Sequence, residues 1–303
     1  MIKTYTYKKV TWVDVEKPSE EEIRSLISTY GIPPTVAEEL TKKSLRSKVD
    51  VYPNALYLAF QFPETRHRHE KNQQEIDFII GKQFVITVRH EAGDALHEFS
   101  KLLEVGSILD KRKREVDGSA VFFSILMHLY QKLQDELINL HTALEHIENN
   151  IFARKEKEMV VAISEAARRL IDFKKATRFH KSILLSLASS GTKFFGEEFC
   201  LEVETLIEEY YKIDHLLLGN SETLSELRET NNSLLSTREN EIIRRLTLMA
   251  FITFPLMLIT SIFGMDIATS PILSDTRDFS IVIGIMATLT IVMLIFFKHK
   301  KWL

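Results

Sequence analysis

The sequence predicts an α/β domain followed by long α-helices, one of which continues as a stalk into the first of two membrane-spanning helices. Three patterns carry this. Short β-rich stretches alternate with helix signals up to about residue 90. Apolar residues step by three and four from Ser119 onward. Two uncharged blocks of 18 residues close the chain, Leu246–Phe263 and Ser280–Phe297. The expected division is 1–118 for a cytoplasmic α/β domain, 119–245 for long helices and stalk, and 246–303 for a two-span hairpin.

In the first part, Lys8–Val15 is β-rich. Ser19 with Glu22 three residues on is a capping-box pattern, and opens a helix to about Tyr30. Pro33-Pro34 starts a second short helix. Ala55–Phe62, Glu75–Ile80 and Gln83–Arg89 read as strands, with Gly81-Lys82 as a hairpin turn between the last two. Asp94–Val105 returns to helix.

The second part carries two apolar seams, Phe122 through Ile151 and Met159 through Leu187. The run Ser189–Gly196 is read as the break between helices. From Glu197 to Phe263 the only proline is Pro255, so one helix of about 100 Å is expected. Gly219-Asn220 is its weak point. Asn231 and Asn240 suit an axis between copies of the chain, where a polar ring fixes register.

In the third part, each 18-residue block makes a helix of roughly 27 Å, near the thickness of a bilayer core. A buried soluble hairpin is disfavoured because neither block keeps a polar face. Pro255 is tolerated in a spanning helix. Arg238, Arg244 and Arg245 precede the first span, Lys298, Lys300, Lys301 and Trp302 follow the second, and the joining segment 264–279 holds only Arg277. The positive-inside rule then puts both termini in the cytoplasm. The first thirty or so residues are polar and read as no signal peptide. Without an Arg/Ser-rich leader, a prokaryotic inner membrane is expected, with multi-pass topology.

Of the 303 residues, 39 are Lys or Arg and 42 Asp or Glu, so the balance gives no basic surplus for nucleic acid. The single cysteine, Cys200, cannot form an internal disulfide and suits a reducing cytosol. No nucleophile elbow, P-loop or HExxH run is present, and no enzyme is expected. Arg66–Lys71, with His67 and His69, has too few ligands and too many cations for zinc. His180 sits in an apolar seam and reads as a core histidine.

The stretch Asn240–Asp266, NEIIRRLTLMAFITFPLMLITSIFGMD, resembles the first transmembrane helix of the CorA family of magnesium and divalent-cation channels. Asn240-Glu241, Leu246-Thr247, Pro255-Leu256 and Phe263-Gly264-Met265 fall where the family has an Asn-Glu start, a Leu-Thr, a mid-span Pro-Leu and an aromatic-Gly-Met end. The basic end Lys300-Lys301-Trp302-Leu303 matches too, and Trp12-Val13-Asp14 and Ile86–Arg89 are similar to its cytoplasmic domain. The family signature ends in Asn; this chain has Asp266.

The resemblance implies a homopentameric funnel in a lipid bilayer, with first spans lining a pore and Gly264, Met265 and Asp266 at its outer mouth. Mg²⁺ sheds water reluctantly, so a site that reads its hydration shell costs less than stripping it. Five carboxylates in a ring attract divalent cations and repel one another, which makes both affinity and pH response differ from an Asn ring. Helical spacing puts Asn240, Ile243, Leu246, Thr247, Phe254, Leu258 and Ser261 on the pore side. The family also implies regulatory magnesium sites between cytoplasmic domains. Within the acidic set Glu202, Glu204, Glu208, Glu209 and Asp214, most reads as a solvated face, and Glu204 and Glu208 are the regulatory candidates. No cofactor is expected besides Mg²⁺ as transported and regulatory ion. The expected function is passive inward flow of Mg²⁺, with Co²⁺ or Ni²⁺ as further cargo. A zinc or transition-metal transporter of the same family, and a non-conducting scaffold or sensor that kept the fold, are the alternatives.

Overall fold

The computed structural model describes residues 1–40, 49–63, 73–90, 94–104, 116–264 and 276–300. They divide into two compact units, Met1–Arg228 and Glu229–Leu303.

The first unit is built on a mixed sheet of β1 (Ile2–Tyr7), β2 (Val10–Glu16), β3 (Val49–Val51), β4 (Leu56–Pro63), β5 (Gln73–Ile80) and β6 (Phe84–Arg89), in the order β1-β2-β6-β5-β4-β3. Among the described strands, β2 and β6 pair in parallel and the other neighbours antiparallel. The β-rich stretch Lys8–Val15 corresponds to β2; β1, which the sequence did not reveal, pairs antiparallel with it across a turn at Lys8 in the left-handed region (φ 56°). Edge strands β1 and β3 carry too little apolar alternation to stand out in sequence.

Helices cover both faces of the sheet, so its central strands are apolar on both sides. α1 (Glu20–Tyr30) and α2 (Pro34–Leu40) lie over Val13, Val15, Tyr57, Ala59, Ile86 and Val88. Ser19 caps α1: its hydroxyl accepts from Glu22 N–H at 3.2 Å, and Glu22 accepts from Ser19 N–H at 2.9 Å. α3 (Asp94–Glu104) and α4 (Gly118–Phe152) cover the opposite face. There Trp12 packs edge-on to Phe99 and Phe78 to Phe122. The same face buries an ion pair, Arg89 to Asp14 at 2.9 Å. Thr87 donates to Asp14 and Trp12 donates to Thr87, so the carboxylate is held by a network rather than one partner.

Gly118 starts α4 against the β5–β6 turn. Its N–H donates to the Lys82 carbonyl at 2.9 Å, and a Cβ there would sit 1.9 Å from the Gly81 oxygen. Only glycine fits this close approach.

α4, α5 (Glu156–Thr177) and α6 (His180–Phe195) follow, then α7 (Glu197–Gly264) and α8 (Thr276–His299). The expected break over Ser189–Gly196 falls later: α6 continues through Ser189–Phe195. Gly191 admits the Phe199 ring, and the chain turns only at Gly196, φ 93°. α7 shows no break at Gly219-Asn220. Asn220 Nδ2 donates to the Leu137 carbonyl at 2.9 Å, and its Oδ1 lies 3.0 Å from His141 Nδ1. A polar seam residue satisfied by α4 holds the helix there instead of weakening it.

His180 is fully buried. Its Nε2 lies 2.7 Å from the Gln61 carbonyl, which can only accept, so Nε2 carries the proton and Nδ1 accepts from the Tyr130 hydroxyl at 3.1 Å. Burial pushes its pKa down to about 4. It is the expected core histidine and stays neutral at physiological pH.

Candidate ion-conduction site

Among the described residues, α7 and α8 are the two helices long and apolar enough to cross a membrane. On α7, Leu248 is buried and Ile252, Pro255, Leu256 and Ile259 are half-buried. On α8, Phe297 is buried and Val282, Met286, Leu289, Thr290 and Met293 are half-buried. Each set steps by three and four, so each is one helical stripe. The rings of Phe251 and Phe297, 6.4 Å apart, join the two helices. Pro255 lies on this packed stripe.

At about 100° per residue, Ile243, Thr247, Phe254 and Ser261 fall in one sector roughly opposite that stripe. Asn240 and Leu258 lie toward one edge and Leu246 toward the other. All seven predicted pore residues are exposed, Phe254 at 65% and Leu258 at 62%. Ala250 and Met257 complete the same three-four stepping from Asn240 to Gly264, where α7 ends. Neither is among the seven residues expected from the sequence, though the same spacing reaches them.

The polar groups on this face are already oriented. Thr247 donates its hydroxyl proton to the Ile243 carbonyl at 2.8 Å. Its oxygen lone pairs remain free to accept from water around a cation. Met265 and Asp266 lie outside the described residues, as do Arg66–Lys71.

Glu204 and Glu208 are exposed on α7, away from its buried stripe of Val203, Leu206, Tyr210, Ile213 and Leu217. Among the described residues no group of three or more His, Cys, Asp or Glu is placed to hold a metal. Glu209 is tied down. Burial alone would raise its pKa, but hydrogen bonds from Lys212 (2.6 Å) and Gln134 (2.7 Å) hold it below the usual range. Asn240 is exposed, as an axial ring requires. Asn231 is not: it is 1% exposed, so it is packed within the chain and does not face an axis between copies.

Residues 7–299 match the family described as CorA-like Mg²⁺ transporter protein. The chain is 22% identical to the cobalt/magnesium transport protein CorA of Thermotoga maritima, over 97% of this chain and 83% of that protein. It is 23% identical to the putative metal ion transporter YfjQ of Bacillus subtilis, over 96% and 89%. Among solved structures, the complete CorA magnesium transporter of Methanocaldococcus jannaschii has the same fold, with a TM-score of 0.79 at 18% identity, covering 99% of this chain and 94% of that one.

Proposed function

Because the chain belongs to the CorA-like Mg²⁺ transporter family, an ion-transporter family rather than an enzyme one, we propose that it is a passive channel for divalent cations, chiefly Mg²⁺. Five copies would assemble in the inner membrane, with both termini cytoplasmic and the α7 face from Asn240 to Ser261 turned to a common pore. The observation that carries this reading is the uncovered side of α7. α8 packs on one stripe and leaves the opposite one exposed, with a Thr and a Ser between apolar side chains. That side suits a water-filled path rather than lipid, since the Thr247 oxygen can accept from an ion's hydration shell. Ile243, Leu246 and Phe254 would form apolar rings that close by dewetting. Co²⁺ and Ni²⁺ share the cargo class, and Glu204 and Glu208 remain the regulatory candidates.

Gly264, Met265 and Asp266 would form the outer mouth. A ring of Asp266 carboxylates concentrates divalent cations there, and membrane potential drives them inward at about 2.3 kcal/mol per charge per 100 mV. The test is Mg²⁺ uptake into proteoliposomes loaded with an Mg²⁺-sensitive dye, for wild type and Asp266→Asn, at two pH values. The expected result is wild-type uptake whose pH dependence is lost in the variant. Uptake only in Asp266→Asn would mean that the carboxylates trap the ion. Silence in both, with pentamers intact, would overturn Mg²⁺ conduction and favour a transition metal or a non-conducting scaffold, to which the Asp in place of the family's Asn already points.

A further inference from the structure

The packed ends of α7 and α8 gather cations from two helices beside uncovered apolar surface. Phe297 is 5% exposed against the Phe251 side, and Leu248, a turn earlier on α7, is 8% exposed. This contact sets the level of both helices. α7 reaches it from Arg244 and Arg245, each within about 60° of the Leu248 face. α8 leaves it through Lys298, His299 and Lys300. The Lys300 N–H donates to the Phe296 carbonyl at 3.0 Å, so the helical path continues to that residue.

Lys300 lies about 4.5 Å past Phe297 along its helix, and Arg245 about 4.5 Å before Leu248 along the other. Long side chains span such a gap. Arg245, Lys298, His299 and Lys300 are exposed, and the acid nearest them in sequence is Glu241, one turn before Arg245. On the apolar side, Met249 and Leu294 are both exposed. A free phosphate would meet the cations alone; a phosphate carried on acyl chains meets both halves.

We infer that this end of the hairpin binds the headgroup of an anionic phospholipid, with Arg245 and Lys300, each within about 60° of the packed faces, on the phosphate and Met249 and Leu294 along the chains. Each cation near a lipid phosphate strengthens binding roughly fivefold. The site rests on the membrane hairpin and not on conduction, so a failed flux assay leaves it standing.

The test is thermal unfolding of the purified full-length protein in detergent with phosphatidylglycerol, phosphatidylcholine of the same chains, or inorganic phosphate. The expected result is a larger rise in Tm with phosphatidylglycerol than with either other addition. Arg245→Gln with Lys300→Gln should weaken phosphatidylglycerol binding about twenty-five-fold and leave the phosphatidylcholine response unchanged. Lys300→Arg should keep the full effect. Equal shifts from both lipids, an equal shift from phosphate alone, or an unaltered shift in the double variant would overturn the proposal. Should the double variant fail to fold, wild type decides alone: the phosphatidylglycerol increment must shrink between about 0.05 M and about 0.5 M salt, and persistence overturns the site.

Discussion

The unit of residues 1–228 and the hairpin unit of residues 229–303 use the same apolar side chains by opposite rules. In the first, Phe60, Phe78, Phe99 and Phe122 are fully buried between sheet and helices. In the second, Phe254, Met257, Ile262 and Ile295 are exposed over more than half their surface. In water so large an apolar surface would drive aggregation. In the hairpin it marks where another solvent, lipid, takes over. α7 obeys both rules in one helix: a buried three-four stripe through Leu224 and Leu227, then apolar residues on every side.

The largest predicted effect tests that contrast directly. Phe60→Ala removes a ring packed against Phe62, Phe78 and His180, and should cost about 3–5 kcal/mol in unfolding free energy. Phe296→Ala, with its ring half-exposed at the surface of α8, should cost under about 1 kcal/mol in lipid-containing micelles. Comparable losses at the two sites, measured by denaturant unfolding, would break the contrast.

A smaller effect sharpens it. The pKa of His180 is pushed from an ordinary 6.5 to about 4 by burial. Between those values the unfolded chain binds a proton that the folded chain refuses. The neutral histidine's contribution is therefore complete above about pH 6.5 and declines as pH falls toward about 4, by up to roughly 3 kcal/mol. Unfolding measured across that window should show the decline in wild type. His180→Gln should be less stable near neutral pH, with a flatter slope between pH 6.5 and 4. An identical slope would show that other groups carry the acid sensitivity.

The same contrast explains what could be read in the sequence. The hairpin was legible because lipid demands apolar residues on all sides over a fixed length, as in Leu246–Phe263. The seams of α4 and of α5 with α6 were legible because one buried stripe leaves a three-four period, though the second, read as one run from Met159 to Leu187, is divided by the turn at Arg178-Phe179. β1 and β3 were not, since edge strands bury little. The end of α6 was misread because serine, glycine and threonine usually mark a turn; here Gly191 makes room for Phe199 while the helix goes on. Asn231 looked like an axial residue because polarity in a seam has two readings, a ring between copies or burial within the chain, and sequence cannot weigh neighbours. Along the candidate pore, spacing predicted a side of α7 that the structure leaves exposed, and Ala250 and Met257 share its period. Tertiary polar partners, such as Arg89 with Asp14 and Asn220 with Leu137, leave no local signal.

The smallest effect on folding is expected where the proposed function is strongest. Thr247 is exposed, and its hydroxyl bonds only its own helix, to the Ile243 carbonyl. Replacing it with Val keeps the shape and removes a bond that helices do not need. Unfolding free energy should change by less than about 0.5 kcal/mol, as for most exposed substitutions. If α7 turns this face to a pore, five acceptors for the ion's hydration water disappear at one level, and Mg²⁺ uptake should fall severalfold with pentamers intact. Thr288→Val, on α8, loses the same kind of internal hydroxyl bond, to the Gly284 carbonyl at 2.8 Å, and should leave uptake unchanged. Equal uptake in both variants would remove Thr247 from the conduction path. A loss confined to Thr247→Val would separate the two demands on the hairpin, because a side chain that folding scarcely feels would then be one that the ion does.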